Sequence, residues 1–182
     1  MPDSFKHNVA LSNMGQPTFS TCWWASYRMI FTFLNRHLNE IDDKLTAAKF
    51  DLDDIKQNGL TDTDYMKAAS ALGLKGWPGT LFSNTPWIDI GLSNGAKDFL
   101  TELRIGPLWV SRIAESRPGK QRSNHIVVAV GYDDDEGWII YNNPFPGPIN
   151  ALEMKLRANV FVRNITAANG SVQGYRSRIG DQ

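Results

Sequence analysis

The stretch Gln16-Pro-Thr-Phe-Ser-Thr-Cys22-Trp-Trp-Ala-Ser26 holds the only cysteine of this 182-residue chain. Cys22 opens a run in which apolar residues recur at helical spacing, which predicts a buried central helix over 22–38. At a helix start, the N–H groups of the first turn and the helix dipole favour thiolate over thiol. Cys22 therefore has the setting of a nucleophile, with an expected thiol pKa well below the free value of about 8.5. A buried core cysteine is the alternative.

Gln16 lies six residues before Cys22, in a Gly-Gln-Pro turn. Its side-chain amide can donate a hydrogen bond to an oxyanion, alongside the backbone N–H of Cys22. An ordinary loop residue is the alternative. Thr21 or Ser20 is expected to cap the helix that follows.

The second half of the chain supplies a candidate base. Two β-rich runs, 124–132 and 138–144, are joined by a short Gly-containing connector, which predicts a β-hairpin. His125 then lies at the start of one strand and Asn142 and Asn143 at the end of the next. A histidine oriented by an amide can serve as general base to a thiol. Adjacent strand residues point to opposite faces, so one asparagine at most reaches His125 unless the strand has ended. A strand-end histidine and a turn-forming asparagine are the alternatives.

These motifs, in this order, resemble the papain-like cysteine peptidases, and most closely the small bacterial branch with the AvrRpt2-type effector peptidases and the C39-like peptidases. The resemblance covers about residues 8–165 and includes the Gln-x5-Cys-Trp spacing, the strand Gly106-Pro-Leu-Trp-Val110 and the tripeptide Asn142-Asn-Pro144. It implies a nucleophile, a general base, an orienting residue and an oxyanion donor, which would be Cys22, His125, Asn143 and Gln16.

The sequence differs from the family pattern in two places. The orienting residue of the bacterial branch is often Asp, whereas Asn143 adds no negative charge. The Gly-Ser-Cys of the plant-type enzymes is replaced by Ser20-Thr-Cys22.

The order of elements predicts an α+β papain-like fold, with an N-terminal helical lobe around the nucleophile helix and a C-terminal antiparallel β-sheet lobe. We expect one catalytic domain over 1–165, divided into a helical lobe over about 16–104 and a sheet lobe over about 105–165. The tail, 166–182, lacks an apolar period and is expected to be loosely ordered. Further helices are predicted over 40–57, 61–72 and 93–103, a loop near the cleft over 76–93, a polar loop over 115–124, and strands over 107–114, 125–132, 137–142 and 159–165.

Composition excludes several classes of function. Lys plus Arg and Asp plus Glu number 19 each, so charge gives no case for nucleic-acid or membrane binding. One cysteine excludes a disulfide framework, and the three histidines lack zinc-site spacing. We therefore expect no metal and no cofactor. The N-terminus lacks the pattern of a signal peptide, which predicts a protein that is cytoplasmic or delivered into a target cell by a secretion system.

We therefore hypothesise that the chain is a cysteine endopeptidase that cleaves specific proteins and acts as a bacterial effector or interbacterial toxin. Its partners would be a protein substrate in the target cell and a cognate immunity protein. An amidase, transglutaminase, deamidase or thioesterase with the same triad remains open. So do a catalytically silent binding module and a leader-processing domain of an exporter.

Overall fold

The computed structural model describes residues 3–82, 92–115, 123–145, 149–167 and 170–175. Within them lie six α-helices: α1 Cys22–Phe33, α2 Asn39–Ala47, α3 Leu52–Asn58, α4 Tyr65–Ala71, α5 Asn94–Leu103 and α6 Ala158–Ala167. The strands are β1 Phe5–Lys6, β2 Lys75–Pro78, β3 Leu108–Glu115, β4 Ser123–Asp133, β5 Trp138–Asn143, β6 Leu152–Arg157 and β7 Ser171–Gly174.

The described strands form one antiparallel sheet. Its order is β2-β7-β3-β4-β5-β6, and β1 pairs with one end of β4. β4 and β5 form the predicted hairpin, in which Asp133 opposes Trp138 and Gly137 turns the chain at a φ of 67°. This hairpin places the beginning of β4 and the end of β5 at the same end of the sheet.

Helices pack on both faces of the sheet, because side chains alternate along each strand. Trp109 and Val128 point to the face covered by α1 to α4. Val110 and Val127 point to the opposite face, which α5 and α6 cover. The predicted α+β class is confirmed. The division into a helical and a sheet half is incomplete, since β2 comes from the first half of the chain and α6 from the second.

Two predictions for the last part of the chain are wrong. Residues 159–165 are not a strand but lie in α6, where Phe161, Val162 and Ile165 share one buried helical face. Periodicity does not distinguish strand from helix in so short an apolar run. The segment after residue 165 is not loosely ordered throughout, since β7 is buried between β2 and β3.

Smaller differences concern the ends of elements. α1 ends at Phe33 rather than at residue 38, because Asn35 adopts a left-handed φ of 53°. β2 occupies Lys75–Pro78, where a loop was predicted from residue 76. The rest of that loop, 83–91, and most of the polar loop, 116–122, lie outside the described residues. The helix predicted from residue 93 or 94 to 103 is confirmed as α5.

A buried polar network joins β7 to α1. The Tyr27 hydroxyl donates to Gln173 Oε1 at 2.8 Å, and Gln173 Nε2 donates to the Tyr65 carbonyl oxygen at 3.0 Å. Tyr27 also stacks on Trp109, whose indole N–H donates to the Trp23 carbonyl oxygen at 3.3 Å. The position of α1 is thus fixed by hydrogen bonds as well as by apolar packing.

Candidate active site

Cys22 is the first residue of α1 and is buried. Ser26, one helical turn later, has its hydroxyl 3.4 Å from the carbonyl oxygen of Ile126. Residues four apart share one helical face, about 6 Å from each other along the axis. Cys22 therefore lies about one helical turn from the Ser26–Ile126 contact. Ile126 is the residue after His125 in β4.

Neither residue predicted to cap α1 does so. Thr21 is the N-cap residue, but its hydroxyl donates to the Thr18 carbonyl oxygen at 3.0 Å. The Ser20 hydroxyl donates to the Lys56 carbonyl oxygen at 2.8 Å. Both hydroxyls are engaged by backbone carbonyl groups of other residues, and the N-cap residue Thr21 makes no side-chain capping hydrogen bond. The positive end of the helix dipole is left to act on Cys22.

His125 Nε2 and Asn143 Oδ1 are 2.6 Å apart. The same amide oxygen accepts the backbone N–H of Phe145 at 2.9 Å, and Asn143 Nδ2 donates to the sulfur of Met154 at 3.3 Å. An N–H donor fixes which end of the amide is oxygen, and that oxygen can only accept. His125 therefore carries its proton on Nε2, which leaves Nδ1 as the ring nitrogen able to take a thiol proton.

Asn142, the competing asparagine, points elsewhere. It opposes Val128 and Glu153 in the sheet and is buried. Its side-chain oxygen has no hydrogen-bond partner among the described residues. Alternation along β5 thus selects Asn143 as the residue in contact with the histidine.

Gln16 lies beside this pair. Its backbone N–H donates to the Pro144 carbonyl oxygen at 2.9 Å, and its side-chain Nε2 donates to the Thr18 carbonyl oxygen at 2.8 Å. A primary amide carries two N–H donors, so one remains for a second acceptor. The side chain is buried, and its Oε1 has no partner among the described residues.

Tyr65 belongs to the surroundings of the cysteine, although no sequence motif pointed to it. Its ring meets Trp109 edge-on, with centroids 5.2 Å apart. Burial, and to a smaller extent the negative charge of the Cys22 thiolate, raises the pKa of Tyr65 to about 12. The phenol therefore stays neutral at physiological pH. Pro144, Phe145 and Met154 were also missed as contacts, since backbone groups and a methionine sulfur leave no pattern in the sequence.

The described parts of the chain contain neither a candidate metal-ligand cluster nor a candidate membrane-spanning helix. No group of three or more His, Cys, Asp or Glu residues there is arranged to hold a metal ion. No described helix is long and apolar enough to cross a bilayer.

Cys22 thus lies at a helix start, and His125 and Asn143 meet across a β-hairpin. The sequence model of the family described as papain-like cysteine protease AvrRpt2 matches residues 4–162, and the chain belongs to this family. The protein is thus a hydrolase with a papain-like fold, as the resemblance in the sequence implied. A search of curated proteins finds no match.

Proposed function

We propose that this protease is an endopeptidase for specific proteins, with Cys22 as nucleophile, His125 as general base and acid, Asn143 as the orienting residue and Gln16 as oxyanion donor. The contact between His125 Nε2 and Asn143 Oδ1 at 2.6 Å carries the assignment. It presents the opposite ring nitrogen for proton transfer, as a thiol-imidazole pair requires.

In the first half of the reaction, His125 Nδ1 takes the thiol proton and Cys22 Sγ bonds to the carbonyl carbon of the scissile peptide. The resulting oxyanion accepts hydrogen bonds from Gln16 Nε2 and the backbone N–H of Cys22, each donor being worth about 2.7–4 kcal/mol in comparable sites. The C–N bond then breaks as the imidazolium returns its proton to the leaving amine. A thioester on Cys22 remains.

In the second half, His125 deprotonates a water molecule that attacks the thioester carbonyl. The C–S bond breaks, the thiol regains its proton from the imidazolium, and the acid product leaves. Asn143 keeps the ring oriented through both halves, because the Phe145 N–H and the Met154 sulfur hold its amide at both ends.

The first experiment is a search by mass spectrometry for new protein N-termini in bacterial and host-cell lysates. One sample receives the wild type and the other Cys22→Ala. We expect a small set of new termini with wild type alone, because loss of the nucleophile lowers kcat by up to about 10⁶-fold. The two proteins should unfold at similar temperatures. A folded wild type with an alkylatable Cys22 and no new termini would contradict a peptidase role and favour amidase, transglutaminase, deamidase or thioesterase chemistry.

In the cell, we infer an effector or interbacterial toxin that is delivered into a target cell by a secretion system, with a cognate immunity protein as its inhibitor. The resemblance to the AvrRpt2-type effector peptidases supports this role. Inducible expression of wild type, with Cys22→Ala as the matched control, tests it in bacterial and host cells. Growth arrest or cell death with wild type alone is the expected result. Equal growth in every cell type tested would contradict the toxin role.

A further inference from the structure

Met154 is an exposed methionine in contact with the candidate catalytic residues. Its sulfur accepts a hydrogen bond from Asn143 Nδ2 at 3.3 Å, and Asn143 Oδ1 lies 2.6 Å from His125 Nε2. Met154 is 40% exposed. A thioether is a weak hydrogen-bond acceptor that also reacts with oxidants. This contact therefore connects the orientation of the histidine to a chemically reactive group.

Strand pairing explains how the sulfur reaches the amide. Asn143 opposes Leu152 in β6, and Met154, two residues further on, opposes Tyr141 on the same face of the sheet. Diagonal neighbours on antiparallel strands lie about 7–8 Å apart, which a long side chain can span. Methionine is unbranched and flexible enough to do so. β6 is the last strand in the order of the sheet within the described residues, so oxidants in solution have access to this edge.

The other described methionines differ from Met154 in exposure or in contacts. Met14 and Met29 are buried. Met66 is 44% exposed, and its sulfur lies 3.8 Å from the Ser171 hydroxyl. Because an oxidant must reach the sulfur, Met66 and Met154 are the two described methionines open to oxidation. Of this pair, Met154 is the one whose sulfur is hydrogen-bonded to a candidate catalytic residue.

We propose that Met154 is a modification site at which peroxides inhibit the protease reversibly. The proposal rests on the catalytic roles given above and adds regulation of the same site, with Met154 as a positioning residue that acts through Asn143. A hydroperoxide transfers one oxygen atom to the Met154 sulfur, which loses two electrons, while the O–O bond breaks and the peroxide leaves as water or an alcohol. Methionine sulfoxide reductases reverse the step, because two thiols supply two electrons and two protons and the oxygen leaves as water.

The added oxygen does not fit between Met154 and Asn143. An N–H···O hydrogen bond alone takes about 2.9–3.0 Å between its heavy atoms, whereas nitrogen and sulfur are already only 3.3 Å apart. The sulfoxide oxygen therefore either pushes the amide away or turns towards water and moves the sulfur with it. In both arrangements the hold on Asn143, and with it the orientation of His125, is weakened. A misplacement of about 1 Å near the reacting groups costs about 10²-fold in rate.

The test oxidises the folded protein while Cys22 is protected. Methyl methanethiosulfonate blocks Cys22 as a mixed disulfide, hydrogen peroxide is added, and dithiothreitol then restores the thiol. Peptide mass spectrometry verifies the added oxygen at Met154, and thermal unfolding verifies that the protein stays folded. Wild type, Met154→Leu and Met66→Leu are treated alike, and half of each sample then receives methionine sulfoxide reductases for both epimers. Met66→Leu is the matched control, because it removes the other exposed methionine.

The readouts are kcat and KM on a protein that the wild type cleaves, and the rate of Cys22 alkylation by iodoacetamide across pH. We expect oxidised wild type and oxidised Met66→Leu to lose about 10²-fold in kcat with little change in KM. Their alkylation at neutral pH should slow, because a displaced His125 no longer favours the Cys22 thiolate. The reductases should restore both. Met154→Leu should have a lower kcat before treatment, since it lacks the sulfur acceptor, and should lose no more when oxidised.

Unchanged kcat and alkylation in wild type with oxidised Met154 would overturn the inference while the peptidase function stands. An equal loss in oxidised Met154→Leu would also overturn it, since the loss would then come from another group. A wild type that cleaves no protein would overturn the endopeptidase function alone. The alkylation rates need no substrate, so they still decide whether Met154 acts on the catalytic pair.

Discussion

The backbone N–H of Gln16 donates a 2.9 Å hydrogen bond to the carbonyl oxygen of Pro144, the residue after Asn143. The loop that leads to Cys22 is thereby held against the end of β5. Because Asn143 also contacts His125, this bond connects Gln16, the candidate oxyanion donor, to the candidate base through Pro144 and Asn143. A displacement of either loop would change the distances both at Gln16 and at His125.

Gln16→Ala should lower kcat by about 10² to 10³-fold and leave KM nearly unchanged, because the amide acts on charge that develops in the transition state. Gln16→Glu keeps the size of the side chain but removes the N–H donors, so it should lower kcat by a similar factor. Steady-state kinetics on a cleaved protein give both constants. A change confined to KM would mean that Gln16 binds the ground state instead.

Asn143→Asp should retain activity within about tenfold of wild type, whereas Asn143→Ala should lose considerably more. The aspartate oxygen can accept the same two donors, His125 Nε2–H and the Phe145 N–H. Its negative charge also favours the imidazolium, so the alkaline limb of the pH–rate profile should move to higher pH. Equal loss in both variants would exclude orientation of the histidine as the role of Asn143.

The free energy of unfolding should fall as the pH rises from about 10 towards 12. Tyr65 has an ordinary pKa of about 10 in the unfolded chain and about 12 in the fold, so between these values the unfolded state releases its proton first and is favoured. Tyr65 alone should account for about 2–3 kcal/mol across this range. Burial also raises the pKa of Tyr27, which adds to the fall.

Urea denaturation at a series of alkaline pH values measures this effect, and Tyr65→Phe should make the fall shallower. Phenolate absorbance gives an independent check in Cys22→Ala, where loss of the thiolate charge should lower the pKa of Tyr65. An unchanged tyrosine titration in Cys22→Ala would show that the cysteine does not act on this phenol.

Gln173→Leu should destabilise the fold by at least about 2 kcal/mol, because it leaves the Tyr27 hydroxyl and the Tyr65 carbonyl oxygen buried without this partner. Tyr27→Phe removes one donor and should lose about 1–3 kcal/mol. The double variant should lose less than the sum, since the residues are in direct contact. Chemical denaturation of the four proteins completes the cycle, and strict additivity would argue against coupling between Tyr27 and Gln173.

The parts of the site that the sequence predicted are those set by short-range patterns. A hairpin with a short connector brings His125 close to the end of the next strand, where Asn142 and Asn143 lie, and the helical spacing of apolar residues after Cys22 predicts a helix. The choice of Asn143 over Asn142 was open, because it depends on which face of β5 meets the histidine. That face is fixed only by pairing with β4 and β6.

What the sequence did not predict depends on distant pairing. Tyr27 and Gln173 are 146 residues apart along the chain, and a four-residue strand such as β7 has no pattern that reveals its neighbours. The assignment of 159–165 to a strand failed for a related reason. Phe161 and Ile165 are buried against both α5 and the sheet, and this tertiary packing selects the helix over the alternative.

The place of β7 has a consequence for the timing of activity during protein synthesis. Cys22, His125 and Asn143 all leave the ribosome before Ser171, yet β7, the strand that joins β2 to β3 in the sheet, comes after them. A nascent chain that stops short of Gln173 has every candidate catalytic residue but lacks the hydrogen bond that holds Tyr27 of α1. We therefore expect proteolytic activity to arise late in translation, only after Gln173 has joined the fold.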